Sequence, residues 1–306
     1  MPITLFYSHE GCGMTSETHA DNTQYLERIS LNEKAIYFHR MREDTPANYY
    51  HWHQCVEILS ISQGVGIALV DRRQYTIRPG RLFIFPPGRL HKVFVEQNER
   101  NKYHRTTVHF NALTTAHYLR DFPRQLALLQ QLTGPGEHTR VFDTSDVQGA
   151  LDMLLERFEK QMEDDHFTIS DSAFLVMQIL SLLPQIQPEY GQKTFSTRLI
   201  NWIDEHFTHP CTLDDIAKIA GCSRGHTCRR FHEETGGTLQ EYLIMRRLKQ
   251  ACELLIQTSL SVREIAKAVG FSGYPWFITC FSKHICTSPL QYRKSCGVSL
   301  NMNCGQ

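Results

Sequence analysis

The chain has 306 residues and a formal net charge of zero at neutral pH, with 41% hydrophobic and 21% charged residues. This composition excludes a disordered chain and fits about two globular domains. The longest apolar run, at 173–183, is too short to span a bilayer, and the N-terminus lacks the basic and apolar stretches of a secretory signal. We therefore expect a cytoplasmic protein whose cysteines are free thiols.

The N-terminal part has the pattern of a loose extension followed by a small all-β domain. Residues 1–30 show no periodicity and predict the extension. Within 31–115, short β-prone runs alternate with turn residues, which is typical of a barrel or sandwich. The predicted strands are 35–41, 55–62, 65–70, 74–77, 81–85, 92–95 and 106–110.

Four side chains of this region have the spacing of a metal site. Residues two apart share a face of an extended strand, so His51, His53 and Glu57 can point the same way. The turn at 86–88 could bring His91 to them from a neighbouring strand. Three imidazoles and one carboxylate can hold a divalent first-row metal.

The same residues predict an effector pocket if no metal is bound. Trp52 could then stack on a sugar ring, or it could simply fill the core of the domain. His39 and His109 lie on other predicted strands and are expected to be structural, outside the site.

The histidine pattern resembles the two motifs of the cupin fold. The residues are His51-x-His53-x3-Glu57-x6-Gly64 and Gly80-x5-Pro86-x4-His91, with Val95 in place of the final Asn of the second motif. The resemblance implies a cupin-like β-barrel that senses a small molecule.

Helical periodicity replaces the strand pattern after this domain. Apolar residues recur at helical spacing in 119–132, 147–158 and 171–183, so 116–187 is predicted to be a helical linker or dimerisation segment. The stretch 185–193 contains a Pro and a Gly and is predicted to link two domains.

The C-terminal region, 194–296, is predicted to be all-α and contains one pattern twice. Its helices are predicted at 196–206, 213–220, 224–235, 239–257, 262–269 and 274–284, and 193–296 carries 14 Lys and Arg against 9 Asp and Glu. Repetition is a stronger signal than a lone motif. We therefore predict helix-turn-helix units at 213–235 and 262–284.

Each copy of the pattern has the residues that a tight turn between two helices needs. Gly221 and Gly270 can take the left-handed conformation that ends the first helix, and Ser223 and Ser272 can cap the second. The exposed face of the second helix is then free to enter a DNA major groove.

The segment from 196 to 294 resembles the DNA-binding domain of the AraC/XylS family of bacterial regulators. The residues that carry the resemblance are Ile216-Ala217, Gly221-x-Ser223, Phe231, Gly236, Tyr242, Arg246-Arg247-Leu248-x2-Ala251-x2-Leu254-Leu255, Ile265-Ala266-x3-Gly270-Phe271, Phe277, Phe281 and Ser288-Pro289-x2-Tyr292-Arg293.

The resemblance implies which side chains face DNA. In the first unit these are Gly225, Cys228 and Arg229 at the bases, with Arg224 and His226 nearer the phosphates; in the second they are Tyr274, Pro275, Ile278 and Thr279. Only Arg229 is well suited to a bidentate guanine contact.

Two residues of the second unit depart from the family pattern. Cys286 replaces a helix-ending Gly, and Pro275 is tolerable only in the first turn of its helix.

These features together predict an α+β multidomain transcription regulator, and an activator that responds to a small molecule such as a sugar. The expected partners are double-stranded DNA, the effector, a second copy of the chain in a homodimer and RNA polymerase, but no membrane. The alternative is a metal-dependent cupin enzyme, a dioxygenase or an isomerase, with an appended helical domain. Because an enzyme would not need the repeated C-terminal units, we expect no catalytic activity.

Overall fold

The architecture was analysed in a computed structural model. It describes residues 25–27, 29–31, 33–41, 49–134, 137–162, 166–184 and 191–302, with side chains up to 295. An N-terminal β-rich domain is followed by a helical middle and an all-α C-terminal domain, which confirms the predicted α+β class.

The strands of the β-rich domain form two main sheets and a short parallel pair. One sheet has the order β10-β7-β4-β9-β2, the other has the order β6-β5-β8, and β1 pairs with β3. The strands are β1 Leu26–Glu27, β2 Ile36–Met41, β3 Trp52–His53, β4 Val56–Gln63, β5 Gly66–Val70, β6 Arg73–Ile77, β7 Arg81–Phe85, β8 His91–Phe94, β9 His104–Phe110 and β10 Arg140–Asp143.

Alternation along the strands gives the five-stranded sheet two buried faces. Val56 and Ile58 of β4 belong to a core that includes the middle helices. Leu59 and Ile61 belong to the core between the two sheets, together with Ala68 of β5. Because successive side chains point to opposite faces, Glu57 lies on the same side as Leu59, between the sheets.

The two sheets are not joined into a closed barrel by hydrogen bonds within the described residues. The edge strands of the larger sheet are β10 and β2, and those of the smaller sheet are β6 and β8. The predicted cupin-like barrel is therefore observed as two packed sheets.

The middle segment differs from the prediction in two places. The helix predicted at 119–132 begins only at Pro123, because a proline is favoured in the first turn and disfavours helical conformation in the residue before it, and a separate helix that was not predicted precedes it at Ala112–Tyr118. A strand, β10, pairs with β7 inside the segment that was predicted to be helical. The helices are α1 Ala112–Tyr118, α2 Pro123–Thr133, α3 Gln148–Gln161 and α4 Ile169–Leu182.

The apolar faces of α3 and α4 pack within the chain. Leu151 and Leu155 of α3, and Val176 and Ile179 of α4, are buried in the core beneath the five-stranded sheet. These faces, which the sequence offered for a dimer, are therefore covered by the chain itself.

The C-terminal helices follow the predicted ones closely. They are α5 Phe195–His206, α6 Leu213–Ala220, α7 Arg224–Thr235, α8 Leu239–Gln257, α9 Val262–Ala268, α10 Tyr274–Ile285 and α11 Pro289–Met302, the last of which was not predicted. Residues 185–190 of the predicted linker lie outside the described residues. Gln192 of the same stretch forms a β-bridge with Gln74 of β6.

One apolar core joins the two domains. Leu26, Tyr50, Trp52 and Leu69 of the β-rich domain belong to the same cluster as the core of helices α5 to α11. Tyr25 adds to it, since its ring stacks on that of His284 at the end of α10 with 4.2 Å between centroids.

Most of the predicted loose extension, 1–24, lies outside the described residues. The part that is described is paired, because Leu26 and Glu27 form parallel strand pairing with Trp52 and His53. No helix in the described part of the chain is both long enough and apolar enough to cross a membrane.

Candidate DNA interface and effector site

The first helix-turn-helix unit consists of α6, a tight turn and α7. A capping box between Thr212 and Asp215 begins α6, and Gly221 ends it with φ of 66°, a conformation that costs glycine little. The Ser223 hydroxyl then accepts a hydrogen bond from the backbone of His226 and begins α7. Ile216 and Phe231 are fully buried and fix the crossing of the two helices.

The predicted DNA-facing residues of α7 share one side of the helix. Gly225, His226 and Arg229 are exposed, and Cys228 is half-buried. Arg224 is also exposed and lies 3.9 Å from Asp214, a surface ion pair of little energy. Among the described residues, His226 Nδ1 lies 3.5 Å from the guanidinium of Arg229, whose exposed side chain is available for a base edge.

Arg230, next in sequence, points away from that side. Its Nε donates to Glu234 at 3.0 Å, and its guanidinium lies over the ring of Phe195 at 4.3 Å. Two adjacent arginines of one helix therefore have different surroundings, one open and one paired.

The second unit, α9 and α10, repeats this arrangement with two differences. Gly270 ends the first helix with φ of 87°, as the pattern predicts. Gly273, rather than Ser272, occupies the N-cap of α10 and offers no side chain to cap that helix. Pro275 lies in the first turn, where a missing N–H costs nothing.

The residues of α10 predicted to face DNA are only partly exposed. Pro275 and Thr279 are exposed, whereas Tyr274 and Ile278 are half-buried against the core, and Arg263 lies over the Tyr274 ring at 4.9 Å. Sequence reasoning did not select Trp276, whose side chain is 52% exposed in the first turn of this helix.

Three imidazoles surround the carboxylate of Glu57, which is 5% exposed. The Nε2 atoms of His53, His91 and His109 lie 2.8, 3.2 and 3.7 Å from Glu57 Oε2. His51 adjoins the group, with its ring centroid 4.2 Å from that of His91. The four residues predicted as metal ligands therefore lie together.

His109 is a member of this cluster that sequence reasoning left out as structural. It pairs directly with Glu57 across β9 and β4, so the two side chains share a face of the sheet. The register of these strands is the signal that places it, and register cannot be read from β9 alone.

The cluster forms part of the wall of a cavity of about 140 Å³. Its other polar lining residues include Glu27, Tyr37, Arg105 and Thr107. Trp52 does not line this cavity. Its side chain is 5% exposed and lies in the core between the domains.

His51 and His53 of the cluster have different pKa values because their surroundings differ. Burial lowers the pKa of His51 to about 4, helped by repulsion from His91. Burial also opposes a charge on His53, but hydrogen bonds to Cys55 and Glu57 and the attraction of Glu57 outweigh it and raise the pKa to about 10. At neutral pH His53 and Glu57 therefore form a buried ion pair beside a neutral His51.

Burial likewise opposes the charge on Glu57. The attraction of His109 and the hydrogen bonds from the surrounding imidazoles overcome this penalty and hold the pKa of the carboxyl well below its usual value.

The geometry also fits the ligand set of a divalent metal. Nδ1 of His51, His53 and His91 each lies within 3.3 Å of a backbone carbonyl oxygen two residues away. An imidazole held in this way directs Nε2, the usual metal-binding atom, toward the centre. His91 Nε2 is buried and lies 3.2 Å from Glu57 Oε2, close enough for the two atoms to share a metal ion.

The spacing of the ligand atoms agrees with such a site. Two overlapping sets, His51 with Glu57 and His91, and His53 with Glu57 and His109, each have their ligand atoms within 4.8 Å of one another. Metal bonds of about 2.1 Å separate neighbouring ligand atoms by roughly 3.0–3.4 Å, so small movements would suffice.

Comparisons with known proteins match both parts of the chain. A family profile described as a helix-turn-helix domain matches residues 216–295, and one described as an AraC-like ligand binding domain matches residues 33–178. The HTH-type transcriptional activator RhaS of Escherichia coli is 27% identical over 263 residues, which cover 82% of this chain and 88% of the relative. The uncharacterized HTH-type transcriptional regulator YfiF of Bacillus subtilis is 25% identical and covers 88% of this chain and 87% of its own.

Solved structures also show similarity. The DNA-binding domain of AdpA in complex with a target DNA is 28% identical, covers 36% of this chain and 97% of that chain, and has a TM-score of 0.33. ToxT of Vibrio cholerae is 11% identical, covers 85% and 98%, and has a TM-score of 0.35.

Proposed function

Because the chain belongs to the AraC family of helix-turn-helix transcription regulators, we propose that it activates transcription at specific promoter sites when a small polar effector binds its N-terminal domain. The observation that carries this proposal is the pair of helix-turn-helix units whose second helices expose one side to solvent. The family consists of transcription regulators, so a cupin enzyme is excluded.

Arg229 is proposed to supply the main base contact of the first unit. It is exposed and lies on the open side of α7. A bidentate contact to guanine is worth about 1–3 kcal/mol, so Arg229→Ala should weaken binding to the preferred site about 5- to 150-fold. The site would be obtained by selection from random duplexes, and affinity would be measured by fluorescence anisotropy.

Arg230→Ala is the matched control, because it removes the same charge from the next position of the same helix. Its guanidinium is paired with Glu234, so site affinity should change less than threefold. Equal losses in the two variants, or no preferred site for the wild type, would overturn the proposal.

We place the effector in the cavity beside Glu57. Its lining combines imidazoles, two carboxylates and a guanidinium, which suits a molecule with several hydroxyl or charged groups, and a sugar is the leading candidate. His51, His53, Glu57 and His91 are proposed to hold a divalent metal, with His109 as a further ligand. A bound metal would offer a Lewis acid to effector oxygens and would replace the proton of His53.

Metal binding can be tested on the chelator-treated full chain by calorimetric titration with zinc. Glu57→Gln should weaken zinc binding at least tenfold, whereas His117→Gln, which changes an exposed histidine of α1, should leave it unaltered. Equal affinity in the two variants would exclude the metal but not the effector. A thermal-shift screen with monosaccharides, with and without zinc, then tests the effector.

A homodimer that engages two half-sites and contacts RNA polymerase completes the proposal. Support for activation comes from the similarity to an activator over 82% of the chain. Sedimentation of the chain with and without its DNA site would test the dimer.

A further inference from the structure

A second cavity lies between the β-rich domain and the C-terminal domain, away from the Glu57 cluster. Its volume is about 180 Å³, slightly larger than an engineered cavity of about 150 Å³ that accepts benzene. Leu69 and Leu90 line it from the first domain, and Ile200 and Tyr242 line it from the second. A molecule with one ring would touch both domains.

The charged residues around this cavity are mainly positive. Two of its lining residues are acidic, Asp71 and Asp204, whereas five are basic: Arg72, Arg73, Arg89, Arg246 and Lys249. Positive charge concentrated beside an apolar wall favours an anion, because solvent screens the charge poorly there.

One carboxylate serves two of these guanidinium groups. Asp204 accepts a hydrogen bond from Arg72 Nε at 2.9 Å and lies 3.3 Å from Arg246 Nε. It also accepts from the Tyr242 hydroxyl at 2.9 Å. Two positive charges at the cavity, those of Arg72 and Arg246, are therefore balanced by the one negative charge of Asp204.

Tyr50 provides an independent indication of a ligand. Its side chain is 6% exposed and lines the cavity, and its hydroxyl has no hydrogen-bond partner among the described residues. The ring is held edge-on against Tyr242, with 4.9 Å between centroids. A buried hydroxyl that lacks a partner is unfavourable, and a ligand oxygen would supply the missing acceptor.

We propose that this interdomain cavity binds a small organic anion. Its carboxylate or phosphate accepts a hydrogen bond from Tyr50 and lies near Arg72 and Arg246, while its apolar part packs on Leu69 and Ile200. The site is separate from the effector site and does not depend on it. Since the ligand contacts both domains, its binding stabilises their packed arrangement.

Three ring compounds of similar size test the chemistry on the full chain. Calorimetric titrations with benzoate and with phenyl phosphate should give saturable binding by at least one of them, and the tighter anion identifies the group that the site prefers. Benzyl alcohol, the neutral counterpart, should bind at least tenfold more weakly than that anion. Absence of binding by both anions, or equal binding of benzyl alcohol, would overturn the proposal.

Tyr50→Phe removes only the hydroxyl and should weaken binding of the preferred anion about tenfold. Tyr103→Phe is the matched control, because it removes another buried tyrosine hydroxyl, in the core between the sheets, and it should bind as the wild type does. Arg72→Gln provides a second test at a half-exposed side chain and should also weaken binding of the preferred anion.

Glu57→Gln separates this site from the effector site and should leave anion binding unchanged. Loss of binding in Glu57→Gln, or wild-type affinity in both Tyr50→Phe and Arg72→Gln, would overturn the proposal.

Discussion

His53 is a residue whose pKa is raised by its surroundings, and this shift makes the stability of the fold depend on pH. Its pKa rises to about 10 in the folded chain, so the proton that it binds stabilises the fold fully below about pH 6.5. That contribution is lost as pH increases from about 6.5 to 10, because the folded pKa is the higher one. Each pKa unit corresponds to about 1.4 kcal/mol, and a contribution of a few kcal/mol is expected.

The measurement is the free energy of unfolding in urea, in the presence of a chelator, for the wild type and His53→Gln. The difference between the two should shrink steadily from pH 6.5 to pH 10. A constant difference for His53→Gln would contradict the expected ionisation.

The site residues were predictable where they lie close together in sequence. Alternation on an extended chain placed His51, His53 and Glu57 on one face, and the structure brings them together with His91, although residues 54–55 separate β3 from β4. Predicting that His109 joins them would have required the register between β4 and β9. An aromatic side chain such as Trp52 is typical of a binding pocket, but it is buried between the domains. The local sequence pattern does not indicate this contact between domains.

At the scale of elements, the end of α10 shows what a departure from the family pattern costs. Cys286 has φ of 57° and ψ of 23°, the left-handed conformation that Gly236 adopts at the end of α7. A side chain in this conformation costs about 1–2 kcal/mol, partly offset by the smaller entropy of the unfolded chain.

Replacing Cys286 with glycine should therefore stabilise the full chain by about 0.5–1 kcal/mol in urea denaturation. Gly236→Ala, the reverse change at the equivalent position of the first unit, should destabilise it by a similar amount. A loss of stability in Cys286→Gly would show that the thiol contributes more than the strain costs.

Elements with strong periodicity were the predictable ones. The predicted bounds of α6, α7 and α8 agree with the structure, because capping residues mark where all three begin and left-handed glycines mark the ends of α6 and α7. The strands β1 and β3 have two residues each, too few for alternation to be recognised. Closure of the barrel could not be judged, since it depends on hydrogen bonds between strands distant in sequence.

At the scale of the whole molecule, the core shared by the two domains predicts cooperative unfolding. Trp52 is 5% exposed among residues of both domains, and a substitution of such a side chain by alanine costs about 3–5 kcal/mol. Calorimetry of the wild type should show one transition, and Trp52→Ala should lower its midpoint and separate the domains into two transitions.

Trp276→Ala is the control at a tryptophan that is 52% exposed, and it should leave the single transition in place. Two resolved transitions in the wild type would contradict a shared core.

The short strand β1 links the cavity beside Glu57 to the end of helix α10. Glu27 lines the cavity beside Glu57, which is the proposed effector site, and Tyr25 stacks on His284 at the end of α10. Their α-carbons are only about 7 Å apart on an extended chain. An effector that drew Glu27 inward by about an ångström would shift Tyr25 along the His284 ring. Its binding would then act on the second helix-turn-helix unit through three residues of backbone.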